Sequence, residues 1–178
     1  MAYFQNATFA RDGNGVPVTV DGFFAYDSQT LIGNNTTVVV PIFTITGSVL
    51  VKGIWGTVTT VLGANHTASA FRFNDGTTQS NITLNTGTDI SAAPVGSSIV
   101  KKGLAAAAVT LLSSSQERVS EPTTLETAYF SPCTLVAKNA VTTNIEYVYA
   151  TTDTPTSGVI NFGLLWLPIS TNAGVTPL

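Results

Sequence analysis

Residues 38–62 decide the fold. They read Val38-Val39-Val40-Pro41-Ile42-Phe43-Thr44-Ile45-Thr46, then Gly47 and Ser48, then Val49-Leu50-Val51-Lys52-Gly53-Ile54-Trp55-Gly56-Thr57-Val58-Thr59-Thr60-Val61-Leu62. β-Branched side chains fill both halves. In a helix they lose rotamer freedom against the preceding turn, whereas on a pleated strand they pack at little entropic cost. The pattern predicts extended chain running through Gly47. Pro41 has no N–H to give to a ladder, so it marks an edge position, a bulge or a strand boundary.

The same signal recurs on both sides of this stretch. Residues 68–73 alternate, with Phe71 and Phe73 on one face and Arg72 on the other, the period of a half-buried strand. Asn74-Asp75-Gly76 follows, a tight-turn sequence because Asn and Asp tolerate positive φ and Gly meets no steric penalty there. Residues 82–84, 125–137 and 144–150 also read as strands, the last filled by Ile145, Tyr147, Val148 and Tyr149. The final clear strand, 159–167, places Ile160, Phe162, Leu164 and Trp166 on one face and Val159, Asn161, Gly163, Leu165 and Leu167 on the other. Both faces are largely apolar, which predicts a central strand, ended by Pro168. Residues 101–117 contain the helix-favouring run Ala105-Ala106-Ala107-Ala108, but Gly103, Val109, Thr110 and Ser113-Ser114-Ser115 oppose a helix. A strand or loop is expected there.

Some eight short strands separated by Gly, Asn, Asp and Pro predict an all-β fold, an antiparallel β-sandwich or jelly roll. The expected organisation is an extended, irregular N-terminal segment over 1–35, a sandwich over 36–170 and a short tail over 171–178. The N-terminal segment is rich in Gly and Asp (Arg11-Asp12-Gly13-Asn14-Gly15) yet carries Tyr3, Phe4, Phe9, Phe23, Phe24 and Tyr26. Aromatic rings on an irregular segment serve as anchors, on the chain's own domain or on a neighbour.

A chain of 178 residues is long enough to bury a core without disulfides or metal. Hydrophobic residues make up 44% and charged residues only 10%, against a usual share of charge of about 25%. Thr, Ser and Asn supply the polarity instead, and the mean hydropathy is +0.31. Disordered chains combine low hydrophobicity with high net charge, so disorder is excluded. A weakly charged, apolar-leaning exterior predicts that part of the surface is covered by partners. The net charge is -3 and only Lys101 and Lys102 are adjacent cations. Nucleic-acid binding depends on clustered cations that neutralise phosphates, so no nucleic-acid partner is expected. The longest apolar stretches, 103–112 and 158–168, fall short of the roughly 18 residues of a membrane helix, and no membrane partner is expected. Met1-Ala2-Tyr3-Phe4-Gln5-Asn6 has neither the basic nor the apolar region of a secretory signal. Without one, the sequons at Asn6, Asn34, Asn35, Asn65 and Asn81 carry no weight.

The residues that carry chemistry are few. Nucleophilic catalysis needs a positioned base, and the single histidine, His66, lies in the polar stretch Gly63-Ala64-Asn65-His66-Thr67, read as an exposed loop. No G-x-S-x-G elbow surrounds any serine. The ten acids give no pair by spacing, and Glu146, opposite Tyr147 in its strand, reads as outward-facing. One Cys and one His cannot make a protein-only zinc site. Asp12-Gly13-Asn14 opens like a calcium loop but lacks the later ligands. Cys133 sits in an apolar stretch and reads as a buried, inert thiol. The expectation is a non-enzymatic protein with no catalytic residues, no metal and no cofactor. Its candidate functional residues are the aromatic contacts Tyr3, Phe4, Phe9, Phe23, Phe24 and Trp55. The alternative is a carbohydrate-binding, lectin-like tail or fibre module that stacks sugars on exposed Tyr147, Tyr149 or Trp55.

Two stretches carry a resemblance. Val40-Pro41-Ile42-Phe43-Thr44-Ile45-Thr46-Gly47-Ser48-Val49-Leu50-Val51, followed by Ile54-Trp55-Gly56-Thr57-Val58-Thr59-Thr60, resembles small virion proteins of tailed bacteriophages. In those, an F-x-V/I-T-G strand, a valine-rich strand and a G-x-V-T-T element follow one another. The segment from Ile145-Glu146-Tyr147 through Thr156-Ser157-Gly158-Val159-Ile160-Asn161-Phe162 to Trp166-Leu167-Pro168-Ile169-Ser170 is similar to their closing motif. The resemblance implies a capsid decoration, or cement, protein on the outer surface of the virion head. Such a protein clamps subunits of the major capsid protein and often associates with itself as a homotrimer. The chain departs from that pattern in its long low-charge connections and its aromatic N-terminal segment.

Overall fold

The computed structural model describes residues 10–11, 17–18, 22–32, 37–64, 66–84, 88–101, 107–112, 132–138, 141–151 and 158–178. Its strands, in chain order, are β1 (Ala10–Arg11), β2 (Pro17–Val18), β3 (Phe23–Leu31), β4 (Thr37–Thr46), β5 (Ser48–Thr60), β6 (Thr67–Asn74) and β7 (Gln79–Asn81). They continue with β8 (Ser98–Lys101), β9 (Val109–Leu112), β10 (Cys133–Val136), β11 (Thr143–Ala150), β12 (Gly158–Pro168) and β13 (Gly174–Pro177). There is no helix among the described residues. The fold is an all-β sandwich of two antiparallel sheets.

Sheet one runs β3-β12-β5-β8-β9, with β10 also on β5; sheet two runs β13-β4-β11-β6-β7. β1 and β2 pair with each other. The pairings β3 with β12, β4 with β11, β5 with β10 and β6 with β7 are those of one long hairpin. Rolling that hairpin up brings β12 against β5 and β11 against β6, which is the connectivity of a jelly roll. The β8 and β9 pair is inserted between β7 and β10, and β13 extends sheet two beyond β4.

Local chemistry sets the corners. At Gly47 the chain passes from sheet two into sheet one with φ +62°, where an added Cβ would meet Ser170 Oγ and the Ala173 backbone. Pro41 lies beside a bulge: Ile145 pairs with Phe43 and Glu146 with Pro41, so Ile42 is the extra residue. The Asn74-Asp75-Gly76 sequence makes the tight turn it predicts. Asp75 Oδ1 accepts the Thr77 and Thr78 amides, and Gly76 has φ +80°.

The core fills the space between the sheets. β12 sends Ile160, Phe162, Leu164 and Trp166 into it, β11 sends Ile145, Tyr147 and Tyr149, and Phe43, Ile54 and Phe71 join them. β12 lies between β3 and β5, as its two apolar faces predict.

The boundaries differ from expectation at both ends of the chain. The sandwich begins at Phe23, because residues 23–31, assigned to an irregular segment, form an edge strand of sheet one. Its inward positions are Phe23, Ala25, Asp27, Gln29 and Leu31, and the polar pair among them hides the apolar alternation. The segment called a tail contains β13, which closes onto β4. The strand expected over 125–137 is described only as β10, and 125–131 lie outside the described residues. Within 101–117, β8 ends at Lys101 and β9 occupies Val109–Leu112.

Candidate functional site

Three aromatic rings gather on the outer face of sheet one. Alternation on β3 turns Phe24 and Tyr26 outward, and they are 46% and 56% exposed. Trp55, half-buried, stands on the outward side of β5. The ring centroids form a near-equilateral triangle: Phe24 to Tyr26 6.2 Å, Phe24 to Trp55 6.4 Å and Tyr26 to Trp55 6.2 Å. Phe24 and Tyr26 are parallel to within 7°, and both stand at more than 70° to the indole.

Gly163 makes this arrangement possible. It pairs with Tyr26 on one side and Trp55 on the other, in the middle of the row. A Cβ there would clash with Cε2, Cζ2 and Nε1 of the indole together. The indole therefore reaches over Gly163, into space that only a glycine leaves open.

The next row towards the β3 C-terminus is polar and uncharged. Asn161 pairs with Ser28 on β3 and Thr57 on β5, and Thr57 pairs with Ser98 on β8. Ser28 and Asn161 are exposed; Thr57 and Ser98 are half-buried.

Of the aromatic contacts expected from sequence, the structure brings Phe24 and Trp55 together. It turns Phe23 inward, with its ring centroid 5.2 Å from that of Trp166. Tyr3, Phe4 and Phe9 lie outside the described residues. Tyr26 was noted in sequence only as one of the N-terminal aromatics, and Gly163 and the Ser28, Asn161, Thr57 and Ser98 row were not singled out. The available signal was their parity with Phe24 and Trp55 once the strand register is known.

Several chemistry-bearing residues sit differently from expectation. His66 is fully buried, not exposed. Its ring stacks on Tyr149 at 4.9 Å, and Nδ1 lies 3.2 Å from the Gly63 carbonyl oxygen. Since a carbonyl only accepts, Nδ1 carries the proton and Nε2 the lone pair. Nε2 has no hydrogen-bond partner among the described residues, and burial holds the imidazole below its ordinary pKa. Tyr147 and Tyr149 face the core with no exposed ring surface, so neither can stack a sugar. Burial pushes the Tyr149 phenol up to about 12, and its hydroxyl donates to the Ile32 carbonyl at 3.0 Å.

Glu146 does lie on the face opposite Tyr147, yet it is 4% exposed. Its Oε2 accepts Arg72 Nε at 2.8 Å and Nη2 at 2.6 Å, and its Oε1 accepts Asn74 Nδ2 at 2.8 Å. Asp27, near the rim of the sandwich, is held above the usual carboxylate range by burial. Cys133 is half-buried and lines a cleft of about 460 Å³ with Lys101 and Ile82. Burial raises the thiol, which opposes thiolate reactivity, and lowers the ammonium. No group of three or more His, Cys, Asp or Glu gathers among the described residues.

Comparison with protein-family models, with curated proteins and with solved structures finds no match to this chain.

Proposed function

We propose that the chain is a non-enzymatic virion structural protein. It is a capsid decoration, or cement, protein of a tailed bacteriophage that binds the outer surface of the major capsid protein and associates with itself as a homotrimer. The observation that carries this reading is a set of exposed aliphatic side chains at one loop end. The described residues that follow β3, follow β5 and precede β8 lie at one end of the roll, because residues 31, 60 and 58 pair with the start of β12 and residue 58 bonds with 96 and 97. They expose Ile32 (67%), Val61 (52%) and Val95 (60%). Such residues are costly to leave in water and gain from burial against a partner. A jelly roll is also an architecture that viral capsid proteins use, although a fold alone does not imply a function.

The mechanism is passive. Each subunit contributes a modest apolar contact, and linked subunits bind with avidity beyond any single interface. With little charge at the contact, attachment should barely respond to ionic strength. Sedimentation of the purified protein tests self-association, with a stable trimer expected and a monomer counting against it. Release from phage heads between low and moderate salt tests the contact. Retention is expected, and detachment at moderate salt would refute an apolar attachment. Ile32→Asp together with Val61→Asp should weaken retention at least tenfold.

A further inference from the structure

We propose that His66 is an acid-sensitive catch for the loop end that carries Ile32 and Val61. A second proton on its ring loosens that end and releases the chain from the partner it is attached to. The release rests on the decoration reading; the catch does not. Several ties converge on this residue. Its amide donates to Ser91 Oγ at 2.8 Å, and its carbonyl oxygen accepts the Ile90 amide at 2.9 Å. Its Nδ1 donates to the Gly63 carbonyl oxygen at 3.2 Å, and its ring stacks on Tyr149 with centroids 4.9 Å apart.

These ties lead on to the exposed aliphatic side chains. The Gly63 carbonyl oxygen also accepts the Ala92 amide at 3.0 Å, and the Leu62 amide donates to the Ala93 carbonyl at 3.1 Å. Together they fasten the stretch after Val61 to residues 90–93. The Tyr149 hydroxyl donates to the Ile32 carbonyl at 3.0 Å. Residues 61–63, residues 90–93 and Ile32 are thus joined through one imidazole. Val95 is held separately, since the Gly96 amide donates to the Val58 carbonyl at 2.8 Å and the Val58 amide to the Ser97 carbonyl at 2.9 Å.

The arrangement suits the neutral ring alone. A neutral imidazole has one N–H and one lone pair. The N–H is used on Gly63, and Nε2 is sealed without a hydrogen-bond partner among the described residues. A proton added there makes a buried cation with one donor unsatisfied. The groups facing the ring do little to offset this. β11 brings Tyr149 and, 5.7 Å beyond it, Tyr147, phenols that burial keeps neutral. The segment before β8 brings Asp89, whose charge favours the imidazolium by less than burial disfavours it. Residues 61–63 and 67–71 carry no titratable side chain. Connections at the end of a roll open at lower free energy than its core strands. In the opened end the ring regains water and its ordinary pKa, so opening takes up a proton. Opening is therefore independent of pH well above about 6.5, and grows by up to about tenfold per pH unit below it until the lower closed-state value is reached.

Amide hydrogen exchange of the full chain by NMR between pH 7.5 and 5.5, corrected for the intrinsic rate, tests the catch without any partner. The amides of Leu62, His66, Ile90 and Ala92 should lose protection severalfold, up to about tenfold, over that range. Those of β12 should stay far better protected at every pH. His66→Phe keeps a ring on Tyr149 and should make exchange at Leu62, Ile90 and Ala92 independent of pH. Asp89→Asn, at an exposed position, keeps an oxygen for the Ser91 amide and removes the opposing charge. It should enlarge the loss at pH 5.5. A change under about twofold, an equal loss in His66→Phe, or identical protection of loop-end and β12 amides would each overturn the catch. Retention on phage heads should fall over the same pH range for the native chain and hold for His66→Phe. Retention indifferent to pH, beside the expected exchange result, would overturn the release. A chain that binds no heads at any pH would refute the decoration reading, and the release with it, while the exchange result stands.

Discussion

Replacing Glu146 by Ala should cost about 3 kcal/mol of folding stability. The carboxylate stands nearly sealed on β11, opposite Arg72 on β6, with Asn74 two residues further along. It accepts three hydrogen bonds, two from the guanidinium and one from the amide. Truncation strands a guanidinium whose side chain is only 17% exposed, together with an amide nitrogen that loses its acceptor. Breaking one side of a buried pair costs roughly 3–5 kcal/mol, and the water still reaching Arg72 places this case at the lower end. In a domain of this size each kcal/mol moves the midpoint by roughly 2–4 °C, so melting should fall by about 6–12 °C. Calorimetry and urea titration of Glu146→Ala, Glu146→Leu, Arg72→Met and the Leu/Met double variant measure it. The double variant removes both charges and should lose clearly less than the two single losses combined, with a coupling of roughly 1 kcal/mol or more. A loss under about 1 kcal/mol for Glu146→Ala, or simple additivity, would refute the view that this pair is energetically linked.

Further outcomes follow from single positions. His66 has a folded pKa below its ordinary 6.5 because burial disfavours the imidazolium, with the Gly63 carbonyl and Asp89 opposing in part. Its neutral form favours the fold above about pH 6.5, and stability should decline as pH falls from there through the lower folded value. His66→Phe keeps the stack on Tyr149 and should flatten that acid slope in melts between pH 8 and 5. Gly47→Ala forces an L side chain to φ +62°, about 1–2 kcal/mol, and adds the clash with Ser170 and Ala173; denaturation of the purified variant should show at least that loss. Phe162→Ala empties a fully buried site beside Tyr147 at 5.0 Å and Phe71 at 6.1 Å. It should cost about 3–5 kcal/mol by urea titration.

Strand content was legible where β-branched runs or alternation were dense, as at 38–62 and 159–167. There the side-chain period reports the buried face without help from the rest of the chain. β3 was hidden because an edge strand at the rim tolerates Asp27 and Gln29 on its inward side, where Gln29 Nε2 can reach the Leu178 carbonyl at 3.2 Å. His66 was misplaced because local polarity says nothing about a tyrosine 83 positions away closing over the ring. Tyr147 and Tyr149 were offered as exposed for a similar reason: β11 buries nearly every position from Thr143 to Val148 on both faces, so its alternation does not separate inside from outside. Two of the aromatic trio, Phe24 and Trp55, were visible as candidate contacts, and Tyr26 as an aromatic of the N-terminal segment. What gathers the rings, the space over Gly163 that the indole fills, depends on register across three strands.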